Sequence, residues 1–510
     1  MDYMLERERI AVGETIFDGC QEQPVDIDIN LPDYCPDIQR ILKCQIYPRI
    51  SSQSVTGDRL MIDGSCGVKI FYLDPQSACV RCFATEESYS AEIALKQQAD
   101  NALVLVSPRV EYVNCRASSP RKLNIHGAFS LCARVVAAGQ DEVVGNIAGD
   151  DVEQLKTTVS FSQFVGFSQQ QFSVDEVLEL PQGKPQADTI VRADSHAVLQ
   201  DCKVTAGKLM TKGEVSVKFL YLAPGDAAPM ETAEYSIPFT QMLDCGGAAE
   251  DCMCFVRFAV AGVDAQVKND YSGENTYFDT QAKIRATVRV YRKTETTFVN
   301  DAYSRRFDMN ITAKQRTVES PSENLSDVLV HKSEIGVEDN TIAKVIDVWS
   351  EMANANGSVE DGKLALKGKY SLCVLAQDDK GTPFYFERLI DYEHQMPCAS
   401  AGDLKCSADA SVGAVSYRLA GKGIEVKTEL HLEAEISQRI TFKAISQVSA
   451  DETKPTAKDD DAPLCLYYAE AGESLWNIAR EYRTSVENIR AENDLSGDAV
   501  ENRGMLMIPV

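Results

Sequence analysis

Two cysteines three positions apart, Cys79 and Cys82, have the spacing of half a zinc site or of a redox pair. A four-ligand site needs a second such pair or histidines nearby. Cys252-Met253-Cys254 has the wrong spacing, and His126, His196, His331, His394 and His431 are scattered with no HExxH pattern. A cysteine–histidine nucleophile would require partners chosen at will from distant segments. There is no GxxxxGK[ST], and no GxGxxG leads into a helix, so nucleotide binding has no local support. Asp459-Asp460-Asp461 lacks the remaining ligands of a calcium loop and reads as solvated linker charge. The expectation is a chain without catalytic residues, metal or cofactor, and therefore not an enzyme.

The totals agree with that direction. The chain has 510 residues, 77 acidic and 51 basic, for a formal charge of −26. Such a charge disfavours nucleic acid or anionic lipid as main partner, because both require a basic face. An apolar fraction of 44% with 25% charged residues belongs to a folded globular chain, and the length predicts several domains. No apolar run approaches the roughly 20 residues of a membrane span, and the first residues mix both charges without an apolar stretch, so neither a transmembrane helix nor a secretion signal is expected. Sixteen cysteines without a signal are expected to be free thiols in a reducing compartment.

The elements emerge from an internal repeat. Gly57-Asp58-Arg59-Leu60-Met61-Ile62-Asp63-Gly64 returns at residues 206–213 and again at 361–368, offset by 149 and then 155 residues. Ile41, Ile190 and Val345 align upstream, and Phe71, Leu220 and Leu375 align downstream. A period this long signifies copies of a domain rather than turns of a solenoid. Residues 64–73, 213–222 and 368–377 are dense in β-branched, aromatic and leucine side chains and follow a Gly-containing turn, as a hairpin requires. Residues 125–136, 283–291 and 424–436 form second strands; the last two alternate apolar and polar side chains, as half-buried strands do. Short helices are expected at 36–42 and 185–192, where proline can open a helix. Residues 449–463 contain no large apolar side chain and are expected to be a flexible acidic tether.

The resulting fold class is mainly β: three tandem β-sandwich-like domains followed by a small α+β module of order βααβ. Their bounds are 1–150, 151–292 and 328–448, with a partly ordered linker at 293–327, the tether at 449–463 and the module at 464–510. In that module Cys465 to Tyr468 forms a strand and Ala471-Gly472 turns the chain. Glu473 or Ser474 caps a helix with Leu475, Ile478, Ala479 and Tyr482 on one face. Thr484, with Glu487 three residues later, makes a capping box for a second helix, and Leu506 to Pro509 returns as a strand.

Tyr468, Gly472 to Leu475, Trp476, Ile478 and Ala479, with Thr484, Ile489, Asn493 and the closing Leu-x-Ile-Pro, resemble the LysM domain over nearly the whole module. The resemblance implies a glycan-binding groove with Gly472, Glu473, Ser474 and Leu475 on one side and Asn493, Asp494, Leu495, Ser496 and Gly497 on the other. It leaves Trp476 either as half-buried packing or as a stacking platform for sugar. Glu501-Asn502-Arg503-Gly504 departs from the family pattern at that edge. Three β-rich units followed by a LysM domain resemble the SPOCS-domain proteins of spore-forming clostridia. That likeness implies a non-enzymatic scaffold of spore-coat assembly in the mother-cell cytoplasm, at the forespore or spore-coat surface. Its LysM domain would dock the stage IV sporulation coat ATPase, and the β units would recruit other coat proteins. The alternative it leaves open is binding of peptidoglycan or another N-acetylglucosamine polymer through the same groove.

Overall fold

The computed structural model describes residues 3–75, 79–98, 102–225, 229–337, 341–351, 353–421, 423–455 and 464–509. Six strands make the first unit: β1 (Met4–Asn30), β2 (Arg40–Thr56), β3 (Arg59–Leu73), β4 (Val80–Ala94), β5 (Leu103–Ser119) and β6 (Lys122–Ala148). The second is β7 (Val152–Glu179), β8 (Thr189–Thr205), β9 (Lys208–Leu222), β10 (Met230–Asp244), β11 (Cys252–Asn269) and β12 (Asn275–Ser304). The third is β13 (Phe307–Ile335), β14 (Lys344–Trp349), β15 (Ala353–Glu360), β16 (Lys363–Gln377), β17 (Pro383–Pro397), β18 (Leu404–Ala420) and β19 (Gly423–Pro455). Each unit is a pair of antiparallel sheets. The first has orders β1-β6-β5 and β2-β3-β4, the second β7-β12-β11 and β8-β9-β10. The third has β13-β19-β18 facing a sheet in which β16 pairs β14, β15 and β17. Apolar side chains of both sheets fill one core per unit, so each is a β-sandwich.

The repeated motif has a direct structural reason. Its first half turns the chain: Asp361 and Gly362 both have positive φ (50° and 73°), as a two-residue type I′ hairpin demands. Its last glycine lies under an aromatic ring of the next strand. A Cβ at Gly64 would stand 2.5 Å from the Tyr89 hydroxyl, at Gly213 2.5 Å from the Phe239 ring, and at Gly368 2.7 Å from the Tyr392 hydroxyl. Only glycine admits the ring there.

Several expectations are corrected. Residues 36–42 and 185–192 are not helical: they are irregular and then enter β2 and β8. Their amides are taken by neighbouring segments, Ile38 N–H donating to Pro120 O in the β5–β6 turn and Ala187 N–H to Asn275 O at the start of β12. Residues 293–327 are strand apart from a short turn, carried by β12 and β13, which pair with β7 and β19 and bury Phe298, Val299, Ala302 and Tyr303. The third unit thus begins at Phe307. Ser449 to Pro455 extends β19 against β13; residues 456–463 lie outside the described residues. Cys20 and Cys132, directly opposite on β1 and β6, are joined by a disulfide rather than free.

The three units converge on one another. Phe71, Leu220 and Leu375, equivalent by the repeat, meet in a cluster with Val191 and Trp349. Farther along, Val143, Phe298 and Ala444 share one cluster and Val144, Val299 and Ile445 the next, which fixes the register of the long strands β6, β12 and β19. Charges cross each junction. Lys69 Nζ donates to Val191 O at 2.8 Å, from the first unit to the second. Lys218 Nζ donates to Val348 O at 2.8 Å, from the second to the third. Lys43 Nζ lies 3.0 Å from Glu351 and 3.1 Å from Glu387, which closes the ring from the first unit to the third. The fully buried Arg192 pairs with buried Asp347 and with Asp194 at 2.8 Å, its guanidinium 4.2 Å from the Trp349 ring centre.

Candidate binding site in the C-terminal module

After the units come β20 (Leu464–Ala469), α1 (Leu475–Glu481), α2 (Val486–Asn493) and β21 (Gly504–Pro509), with β20 and β21 antiparallel. Inward side chains of all four, among them Ala469, Leu475, Ile478, Ala479, Ile489, Leu506 and Ile508, form its core. The helix α1 starts at Ser474, whose side chain makes no cap bond. The cap of α2 is Ser485 rather than Thr484: Ser485 Oγ accepts from Asn488 N–H at 3.1 Å. Thr484 is buried, and its carbonyl accepts the Tyr303 hydroxyl at 2.6 Å.

The two loops named from the sequence are close together, but their residues divide by role. Gly472 N–H donates to Val500 O at 2.8 Å, Leu475 N–H to Asp498 O at 2.9 Å and Val500 N–H to Glu473 O at 2.9 Å, so residues 472–475 are zipped to 498–500. Glu473 turns back, accepting from Glu470 N–H and the Tyr467 hydroxyl. Leu475 is core. Asn493 holds the module together: its amide nitrogen donates to Ile489 O and Met507 O, and its oxygen accepts from Met507 N–H at 2.7 Å. Leu495 is half-buried against the core, and Gly497 O accepts Arg490 Nε at 3.0 Å. That leaves the Ser474 hydroxyl, half-exposed, and the exposed Asp494 and Ser496 to meet solvent along the groove. These are hydrogen-bonding groups without a nucleophile–base pair among them.

Trp476 is turned away from the groove. It is 9% exposed, its ring centre 4.9 Å from that of Tyr303 on β12, and its Nε1 donates to Asp301 Oδ2 at 3.0 Å. Arg480 reaches the same carboxylate at 2.8 Å, and Arg483 reaches Asp308 at 2.6 Å. Burial raises the Tyr303 phenol well above its ordinary pKa, which keeps it a donor. The module is thus seated on the end of the second unit, with Arg483 reaching the first residues of the third. In the register of the long strands, Ala148 and Ser449 occupy the positions of Tyr303, and Asn146 and Gln447 those of Asp301. Only the second unit offers the aromatic ring and the carboxylate.

The family model described as "SipL, SPOCS domain" matches residues 37–118 and 186–268, and the LysM-domain model matches residues 467–501. The chain carries SipL-type SPOCS domains and a LysM domain. The SPOCS matches run from just before β2 to β5 and from just before β8 to β11, the hairpin-rich half of each unit. Both domain types are non-catalytic, and together they fit a sporulation protein with a module of the peptidoglycan-binding kind. No curated protein and no solved structure matches the chain.

Among the described residues, one group has the spacing to hold a metal ion: Glu351, Cys373 and Glu387. Lys43 Nζ already lies against both carboxylates, and burial raises the Cys373 thiol, so the site holds an ammonium rather than needing a cation. Cys79 and Cys82 belong to no such group among the described residues. No helix of the described residues is long and apolar enough to cross a membrane. The residues that sequence reasoning missed are Asp301 and Tyr303. Their segment reads as linker, and the aromatic residues retained in it, Phe298, Tyr303 and Phe307, were the available signal.

Proposed function

We propose that this chain is a non-enzymatic scaffold of spore-coat assembly, at the mother-cell face of the forespore, whose LysM domain docks the stage IV coat ATPase. The observation that carries the reading is the pairing of SPOCS matches with a LysM domain fixed on their body through Asp301 and Tyr303. A wall-binding module on a long tether would be free to search a polymer, whereas a seated one presents a defined surface to a protein. The third unit, with the same glycine-under-aromatic packing at Gly368, acts as a further SPOCS domain. Recruitment by three related units multiplies contact surface without any new chemistry. The test is capture of the purified ATPase by the full chain, set beside sedimentation with peptidoglycan. Capture without wall binding is the expected result.

A second reading is favoured by the exposed Asp494 and Ser496 and the half-exposed Ser474 at the LysM groove. These groups suit the hydroxyl and N-acetyl groups of N-acetylglucosamine polymers. It predicts heat of binding with chitin oligomers that falls on Ser496→Ala, a change that touches no packing. Silence in that titration removes the reading.

A further inference from the structure

The LysM sheet has two unlike faces. Cys465, Tyr467 and Ala469 of β20, with Leu506 and Ile508 of β21, turn onto the helices. The residues between them turn out, and they are also apolar: Leu466 is 62% exposed, Tyr468 57% and Met505 63%, with Leu464 and Met507 more than a third exposed. Leu466 stands directly opposite Met507, and Tyr468 opposite Met505, so these side chains form one continuous patch. A strand face turned to water is ordinarily polar, and a contiguous apolar patch ordinarily marks an interaction surface. The seating on β12 and the start of β13 uses the helical side, through Trp476, Arg480 and Arg483, and leaves this face open.

Charge identifies what covers it. Residues 464–510 hold eight acidic side chains and four arginines, with no lysine. Every arginine is engaged: Arg480 with Asp301, Arg483 with Asp308, Arg490 with Asp498 and Arg503 with Glu470. The module therefore keeps a surplus of carboxylates, among them the exposed Glu492, Asp494 and Glu501. A second copy of a chain with a charge of −26 would bring like charge against like. Tyr468 already accepts a cation on its ring, the Arg503 guanidinium lying 5.3 Å from the ring centre.

We infer that the outer face of β20 and β21, centred on Leu466, Tyr468 and Met505, docks a protein surface that is apolar at its centre and lined with lysine or arginine at its rim. This rests on reading the LysM domain as a protein adaptor, and it moves the contact from the glycan groove to the sheet.

The test titrates the full chain by calorimetry with a synthetic amphipathic peptide, leucine on one face and lysine on the other, and with its leucine/glutamate counterpart. The leucine/lysine peptide binds the wild type, and L466S/M505S weakens it at least tenfold; the glutamate peptide does not bind. Comparison with the variant separates the face from general attraction to an acidic chain, and unchanged Trp476 emission in a Trp349→Phe background shows that the variant is folded. Equal binding to both proteins, or none to the wild type, overturns the inference. So does a wild-type dimer in ultracentrifugation that L466S/M505S abolishes, which would make a second copy the occupant. Capture of the coat ATPase that survives L466S/M505S would overturn this face and leave the adaptor reading intact; failure of the wild type to capture the ATPase would count against that reading alone.

Discussion

Asp301 accepts the indole N–H of Trp476 at 3.0 Å while its same oxygen holds Arg480 at 2.8 Å. One carboxylate of the second unit thus fixes two side chains of a LysM helix, and hydrogen bonds to a charged group of this kind contribute about 1.5–3 kcal/mol. Asp301→Asn combined with Tyr303→Ser gives the second unit a neutral amide and the serine of the third. With Trp349→Phe removing the other tryptophan, Trp476 emission should shift to the red while far-ultraviolet dichroism holds. An unshifted spectrum would mean that the seat does not depend on these groups.

Gly213→Ala should destabilise the chain by about 1–3 kcal/mol, the range for overpacking, because its Cβ would meet the Phe239 ring at 2.5 Å and Val198 O at 2.7 Å. Gly262→Ala, where nothing lies within 4 Å, should change stability by less than about 0.5 kcal/mol. Urea titration of the two variants checks the contrast.

Asp347 lies buried between Arg192 and Lys218. Burial alone would push its carboxyl up, but the two cations hold it below the usual range. Its contribution is therefore present above the ordinary aspartate pKa and is lost as pH falls through the lower folded value. Asp347→Asn strands a buried guanidinium and should cost about 3–5 kcal/mol, read as a lowered urea midpoint.

His196 sits at the junction of the second and third units, its ring 5.1 Å from that of His431 and its Nε2 3.2 Å from Ser411 Oγ. Burial, then His431 and Arg257, push its pKa down to about 4. The unfolded chain takes up this proton near pH 6.5, so folded stability should decline as pH falls from about 6.5 towards 4, by about 2–3 kcal/mol. His196→Gln should flatten that slope in a pH series of thermal melts. An unaltered slope would assign the decline to other groups.

Asn493→Ala removes three hydrogen bonds that clasp α2 to β21. It should unseat the LysM fold, with a loss of about 2 kcal/mol or more from unsatisfied backbone groups, visible as early loss of Trp476 fluorescence on heating. Any loss of ligand in this variant reflects the fold rather than the groove.

What the chain displays openly is local. The glycine-containing turn and the glycine under Tyr89, Phe239 or Tyr392 recur because each is fixed by residues a few positions away or one hairpin across. The LysM helices are visible for the same reason, since their apolar spacing is self-contained. What stays hidden is long-range. Arg192 and Asp347 look like solvated charges until the packing of units buries them together. Asp301 and Tyr303 look like linker because their hydrogen-bond partners lie 175 and 181 residues later, at Trp476 and Thr484. The proline-led segments at 36–42 and 185–192 show the same limit: their turn residues suit a helix, and only the neighbouring segments decide otherwise. In the groove, Asn493 carries the family pattern yet works as a clasp, a distinction that spacing alone does not draw.

Three similar sandwiches closed into a ring would, if identical, leave any appended domain with a choice of three seats. The Asp301–Tyr303 pair removes that choice, because Asn146 with Ala148 and Gln447 with Ser449 lack both the charge and the ring. Every molecule therefore has the same head and the same heading. A layer assembled from such molecules inherits an orientation from each of them, and its inner and outer surfaces are distinguished before a second layer arrives.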